Sequence, residues 1–156
     1  MKKKKVFFSF HFDKDVFRVQ LIRNMGMIEG NHPVNAQQWE TIKKSPDSVK
    51  RWIDSEMKKC DCVCVLIGEE TASREWVKYE IMHACSIGKP LFGIYIHNLK
   101  DIKGNKSLKG KNPFSLFTYK GESLANIIPV YNPDRNIAYE DINLNISNLA
   151  DGAISI

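Results

Sequence analysis

The chain has 156 residues, 43% hydrophobic and 26% charged, which is an ordinary globular composition and a length that fits one domain with its own core. Its net charge of +5 suggests a nucleic acid or an anionic membrane as partner. The excess sits in four lysines at residues 2–5 and in residues 100–120, six Lys against one Asp; the remainder has thirteen basic and seventeen acidic residues, which excludes a generally basic surface.

The opening MKKKKVFF resembles the charged start of a signal peptide, but its apolar run is only Val6 to Phe8 before Ser9, so secretion is not expected. No stretch approaches the roughly 20 apolar residues of a membrane-spanning helix. A cytoplasmic protein with reduced thiols is the expectation for Cys60, Cys62, Cys64 and Cys85. Residues 5–12 (KVFFSFHF) are aromatic and β-branched and predict a first strand. Asp13 offers an N-cap to a helix with Asp15 in its first turn and Phe17, Leu21, Ile22 and Met25 at helical spacing; Gly26 or Gly30 marks its exit. Residues 31–40 are weakly patterned, and Val34 is assigned to a short second strand.

Ser45-Pro46 opens a helix, because Pro is pre-organised for the first helical position, and Val49, Trp52, Ile53 and Met57 form its stripe. Residues 61–68 (DCVCVLIG) are almost continuously apolar, as in a strand covered on both faces. Period-2 spacing on that strand would put Cys60, Cys62 and Cys64 on one face about 6–7 Å apart, too spread to chelate one metal ion. Small apolar packing is expected for them instead. Thr71 or Ser73 caps the next helix, which ends at Gly88 before Pro90. Residues 91–96 (LFGIYI) form another buried strand, 98–121 a long loop with an apolar clump at 113–117, 127–131 a last short strand, and 136–150 a helix. Strands alternating with helices predict a three-layer α/β domain with a mainly parallel sheet. Ligands in such sheets bind beyond the carboxyl ends of the strands, here residues 9–15, 68–76 and 97–100.

The helix at 73–87 carries a residue that does not suit its face. Ser73, Trp76, Val77, Glu80, Ala84 and Ile87 fall within about 100° of arc, with Glu80 near the middle of the apolar side. Carboxylates are rarely buried without a partner. Glu80 is therefore either a structural carboxylate held by a loop or an Arg, or a functional one whose pKa is raised by burial. Ser73, Trp76 and residues 9–11 converge on the same strand-end cleft. Each has a plain alternative: Ser73 as a cap, Trp76 as core, His11 as a satisfied loop side chain.

KVFFSFHFDKD, IGEETASREWVKYEI and GIYIHNLKD with KGKNPF resemble the TIR-like family, in particular the ThsB subunit of Thoeris antiphage defence systems. The resemblance spans roughly residues 4–117, with 118–156 an extension completing a single flavodoxin-like, TIR-like domain over residues 1–156. It implies NAD as the substrate, with no further cofactor and no metal. Glu80 takes the catalytic position, and Ser73 and Trp76 match the family's Ser and Trp. With Ser9, Phe10 and His11 from the first strand end, these are the candidate substrate-binding residues. The implied reaction releases nicotinamide and forms an ADP-ribose-derived, cyclic signal that activates a separate effector protein; self-association into a homo-oligomer is implied as well.

The residue chemistry is compatible with that reaction. Breaking the nicotinamide–ribose bond passes through an oxocarbenium-like state, and nicotinamide leaves a cationic pyridinium without needing a proton, so one carboxylate suffices. No glycine-rich phosphate motif is present, which leaves loop amides, Lys14, His11 or the Lys-rich loop to meet the diphosphate. Trp39 and Asn35 belong either to the site or to nothing. The alternative function is a non-catalytic TIR-type interaction module, which gains nothing from a buried carboxylate. A phosphorylated receiver domain lacks its Asp, since the central strand ends in Ile67-Gly68. Nucleic-acid binding through the loop lacks interleaved aromatics apart from Phe114 and Phe117.

Overall fold

A computed structural model describes residues 3–34 and 36–156; Met1, Lys2 of the lysine tail and Asn35 lie outside the described residues. Five parallel strands form the central sheet: β1 (Lys5–Ser9), β2 (Glu29–Gly30), β3 (Cys62–Ile67), β4 (Leu91–Tyr95) and β7 (Val130–Tyr131), in the order β2-β1-β3-β4-β7. A small antiparallel hairpin, β5 (Thr118–Tyr119) and β6 (Glu122–Ser123), stands outside it. The helices are α1 (Phe12–Asn24), α2 (Ala36–Ile42), α3 (Pro46–Lys58), α4 (Glu75–Ser86) and α5 (Ala138–Asp151).

The expected three layers are present. Val6, Phe8, Cys62, Cys64, Leu66, Phe92 and Ile94 face α1 and α5, packing on Val19, Ile22, Ile142 and Ile146. The alternate residues Phe7, Val63, Val65 and Ile67 face α3 and α4, against Ile53, Met57, Val77 and Ile81. Every residue of β3 is buried, so a strand of six apolar residues at roughly 1.5–3 kcal/mol each anchors both layers. Residues 118–156 supply β7 and α5, and Ile154 pairs antiparallel with Leu91 beside the edge of β4. No described helix is long and apolar enough to cross a membrane.

Several local expectations need correction. The second strand is Glu29–Gly30, before Val34, and residues 36–42 form α2 where only a weak pattern was legible. The N-cap of α1 is His11, whose Nδ1 accepts from the Lys14 amide at 3.2 Å, so Asp13 is inside the helix. The inward face of α1 includes Asp15 and Arg18, while Phe17 points outward. Ser45 does cap α3, accepting from the Ser48 amide.

The cysteines do not share one face. Cys60 lies in the turn after α3, before strand geometry begins, and packs in the α3–α4 layer while its thiol donates to the Glu56 carbonyl at 3.4 Å. Cys62 and Cys64 lie in the other layer. Burial pushes the Cys60 thiol up to about 11 and that of Cys62 up to about 12, which keeps both thiols protonated and unreactive.

The Lys-rich segment is fastened over the sheet's carboxyl edge. Arg18 donates to the Leu99 carbonyl at 2.7 Å, to the Asn105 carbonyl at 3.0 Å and to the buried Asp15 carboxylate at 3.2 Å. The Leu108 amide donates to Glu69 Oε1 at 3.0 Å. Gly110 lies so close to Gly68 that a Cβ there would stand 2.0 Å from the Gly68 carbonyl oxygen. The loop is therefore a packed lid on the edge of the sheet.

Candidate active site

β1 ends at Ser9, whose register partner is Val65 of the central strand, so its hydroxyl emerges at the sheet's carboxyl end. After β3 the chain makes a 3-10 turn at Thr71–Ser73 before α4 begins. Gly68 N donates to the Thr71 hydroxyl at 2.7 Å, which fixes the turn against the strand end. α4 then descends beside β1, and its sixth residue, Glu80, meets Ser9: the Ser9 hydroxyl donates to Glu80 Oε1 at 2.7 Å. Ser9 is fully buried and Glu80 is 7% exposed.

Among the described residues, no cation is paired with this carboxylate. Burial pushes the Glu80 pKa up to about 8, and the Ser9 hydrogen bond holds it down only in part. A pKa raised this far favours the protonated carboxyl at neutral pH. A cationic ring entering beside it would favour the ionised form, because an opposite charge nearby in a low-dielectric pocket stabilises it strongly.

Glu80 borders a cavity of about 210 Å³ between α1, α3, α4 and the segment after β2. Its walls are aromatic: Phe8, Phe10 and Phe12 from β1 and the start of α1, Trp39 from α2, Trp52 from α3 and Trp76 from α4. Trp76 is held edge-on by Tyr79 with centroids 5.8 Å apart, and the Tyr79 hydroxyl donates to Asp54 of α3 at 2.8 Å. Two cations also line the cavity. Arg23 lies over the Phe8 ring at 5.0 Å and donates to the Asn31 carbonyl, and Asn31 Oδ1 in turn accepts from the Phe8 amide. Gly30 makes room for this stack, since a Cβ there would stand 2.6 Å from the Phe8 ring. Arg74 is the N-cap residue of α4.

Of the site residues expected from the sequence, the fold brings together Ser9, Phe10, Trp76 and Glu80. It does not bring in His11 and Ser73. His11 is used as the cap of α1, and Ser73 sits in the exposed turn before α4, its hydroxyl donating to the Glu70 carbonyl at 2.8 Å. The helix begins two residues later than its pattern suggests, which swings Ser73 off the shared face. Thr71 does not cap α4 either. Lys14 is held by Glu70 at 2.8 Å, and Lys109 lies over Tyr95 at 4.6 Å; no described lysine lines the cavity. Trp39 does line it.

Sequence reasoning missed Arg23, Arg74 and Asn31. The signal for Arg74 was available, since it lies within the same helix-start motif as Trp76 and Glu80. That for Arg23 and Asn31 was not, because it depends on where β2 lies.

Residues 7–101, which contain every side chain of this cavity, match the family model described as Thoeris protein ThsB, TIR-like domain. A Bacillus cereus (strain MSX-D12) protein named "Putative cyclic ADP-D-ribose synthase ThsB1" is 38% identical over 134 residues, covering 82% of this chain and 70% of that protein. A parallel α/β sheet, a buried Ser–Glu pair at its carboxyl edge and these two matches lead to one conclusion: the chain belongs to the TIR-like ThsB family of Thoeris proteins.

Proposed function

We propose that this protein cleaves the nicotinamide–ribose bond of NAD and makes an ADP-ribose-derived cyclic signal for Thoeris defence. The observation that carries the reading is Glu80, a buried carboxyl bonded by Ser9 on the wall of an aromatic cavity. The name of the Bacillus cereus relative points to the same product class.

In this mechanism the nicotinamide ring enters between the aromatic walls, with Phe10 and Trp76 as stacking surfaces. Its positive charge draws Glu80 into the carboxylate form. As the C1′–N bond breaks, its electron pair goes to the ring nitrogen and neutral nicotinamide leaves. Positive charge passes to C1′, where the Glu80 carboxylate stabilises it and accepts hydrogen bonds from the ribose hydroxyls. Ser9 holds the carboxylate in place. A nucleophile from the adenosine half then bonds to C1′ and loses a proton, closing the ring. The apolar walls favour that outcome by keeping water from C1′. NAD is the substrate, no further cofactor is needed, and the signal acts on a separate effector; self-association would fit this role.

A purely scaffolding role accounts less well for the site, since a desolvated carboxyl with one hydroxyl partner costs stability and contributes nothing to docking. The reading is tested in phage-challenged cells carrying wild-type protein or Glu80→Gln. Wild-type cells should accumulate free nicotinamide and a cyclic ADP-ribose species, and the variant cells neither. Equal accumulation in both would overturn the catalytic role of Glu80.

A further inference from the structure

The cavity of about 210 Å³, with Glu80 on its wall, takes the nicotinamide–ribose end of the proposed substrate. With the nicotinamide end at buried Glu80, the phosphates lie toward the solvent-facing part of the lining, where Phe12 is 48% and Val16 42% exposed and the Arg74 side chain 36%.

Of the cationic or proton-bearing groups near the strand ends, Lys14, His11 and Arg23 are already engaged; His32 and Arg74 both line the cavity, and of these two only Arg74 starts the helix that carries Glu80. Lys14 is paired with Glu70 at 2.8 Å and Glu69 at 3.9 Å, outside the cavity. His11 caps α1. Arg23 is packed over Phe8 and bonded to the Asn31 carbonyl on the inner wall. Among the described residues Arg74 has one ion pair, a long 3.8 Å contact with Asp13, whose side chain is 76% exposed. An exposed pair at that distance is worth little and exchanges readily. Arg74 also starts the helix that carries Glu80. Six residues of helix place the two about 9 Å apart along the axis, and a ribose with its 5′-phosphate is short enough for both ends to be met from that one helix.

From these positions we infer that Arg74 binds the phosphate attached to the nicotinamide ribose, displacing Asp13. It thereby makes the cavity selective for phosphorylated nicotinamide ribosides. This rests on the NAD reading above and adds the group that selects the substrate. Asp13 acts as a weak internal competitor for the guanidinium. The guanidinium fork matches two phosphate oxygens, which an ammonium cannot do in the same geometry.

Calorimetric titration of the intact protein with two probes separates the possibilities. Nicotinamide mononucleotide carries the phosphate, and nicotinamide riboside lacks it. Wild-type protein should bind the mononucleotide at least about tenfold more tightly. Arg74→Gln should abolish that preference while leaving riboside affinity unchanged within about twofold, and Arg74→Lys should keep part of it. Asp13→Asn should tighten the mononucleotide alone. Loss of affinity for both ligands in Arg74→Gln, or for neither, overturns the assignment. If wild-type protein binds neither ligand, the NAD reading itself fails; riboside binding with no phosphate preference removes only the role of Arg74.

Discussion

Ser9 of β1 and Glu80 of α4 are 71 residues apart in sequence and are joined by a buried 2.7 Å hydrogen bond. The hydroxyl is the group that restrains the upward shift of the Glu80 pKa. A hydrogen bond to a charged group is worth about 1.5–3 kcal/mol, or about one to two pKa units. Ser9→Ala should therefore move the pH profile of NAD cleavage to higher pH and lower kcat/KM at pH 7 by about tenfold or more. Activity should recover above pH 9. A profile that stays in place would mean that the pair does not act on the ionisation of Glu80.

The same pKa predicts different pH profiles for free and substrate-bound protein. kcat/KM reports the free protein, so it should rise about tenfold per pH unit and level off near 8, where Glu80 becomes ionised. kcat reports the complex, in which the bound pyridinium favours the carboxylate, so its rise should fall at lower pH. Steady-state rates from pH 5 to 10 provide both curves.

Stability should respond in the opposite sense. The folded-state pKa of about 8 lies above the ordinary 4.5, so the folded protein holds the Glu80 proton more tightly than the unfolded chain does. The cost of burying the charge is absent below pH 4.5, grows between 4.5 and 8, and is complete above 8. Glu80→Gln should therefore melt close to wild type at pH 4 and be more stable at pH 9. The linkage sets an upper limit of about 5 kcal/mol. Thermal melts at both pH values measure it.

The lid over the sheet edge depends on Arg18 and on one close backbone approach. Arg18→Met leaves the Asp15 carboxyl buried without its partner and frees the Leu99 and Asn105 carbonyls, at a cost of about 3 kcal/mol or more. Adding Asp15→Asn should recover part of that loss in denaturant unfolding. Gly110→Ala should also loosen residues 99–110, because its Cβ would meet the Gly68 backbone. Gly152→Ala is the control, with its nearest neighbours at an ordinary 3.6 Å. Hydrogen exchange of the loop amides distinguishes them.

The sheet was legible where a strand is apolar on both faces, as in β3, and α3 was legible because Ser45 and Pro46 mark its start. Glu80 was legible because a carboxyl on an apolar face breaks a simple pattern. α1 was misread for the complementary reason. Its buried side carries Asp15 and Arg18, which pair through Asp15 Oδ1 while Arg18 also donates to the Leu99 and Asn105 carbonyls, and Phe12 and Val16 turn outward to line the cavity. Residues 29–42 were harder still, since a two-residue strand and a seven-residue helix carry little periodicity, and Trp39 takes its meaning from the cavity it faces. Cys60 was misplaced by extending strand spacing into a turn.

The most direct measurement of the central claim is nicotinamide release from NAD by wild-type protein and by Glu80→Gln, followed by mass spectrometry of the products in extracts of phage-challenged cells and with the purified proteins. Removing the charge that stabilises C1′ should cut release by about 10²–10³-fold while the variant stays folded. Release by folded Glu80→Gln at the wild-type rate would contradict the account.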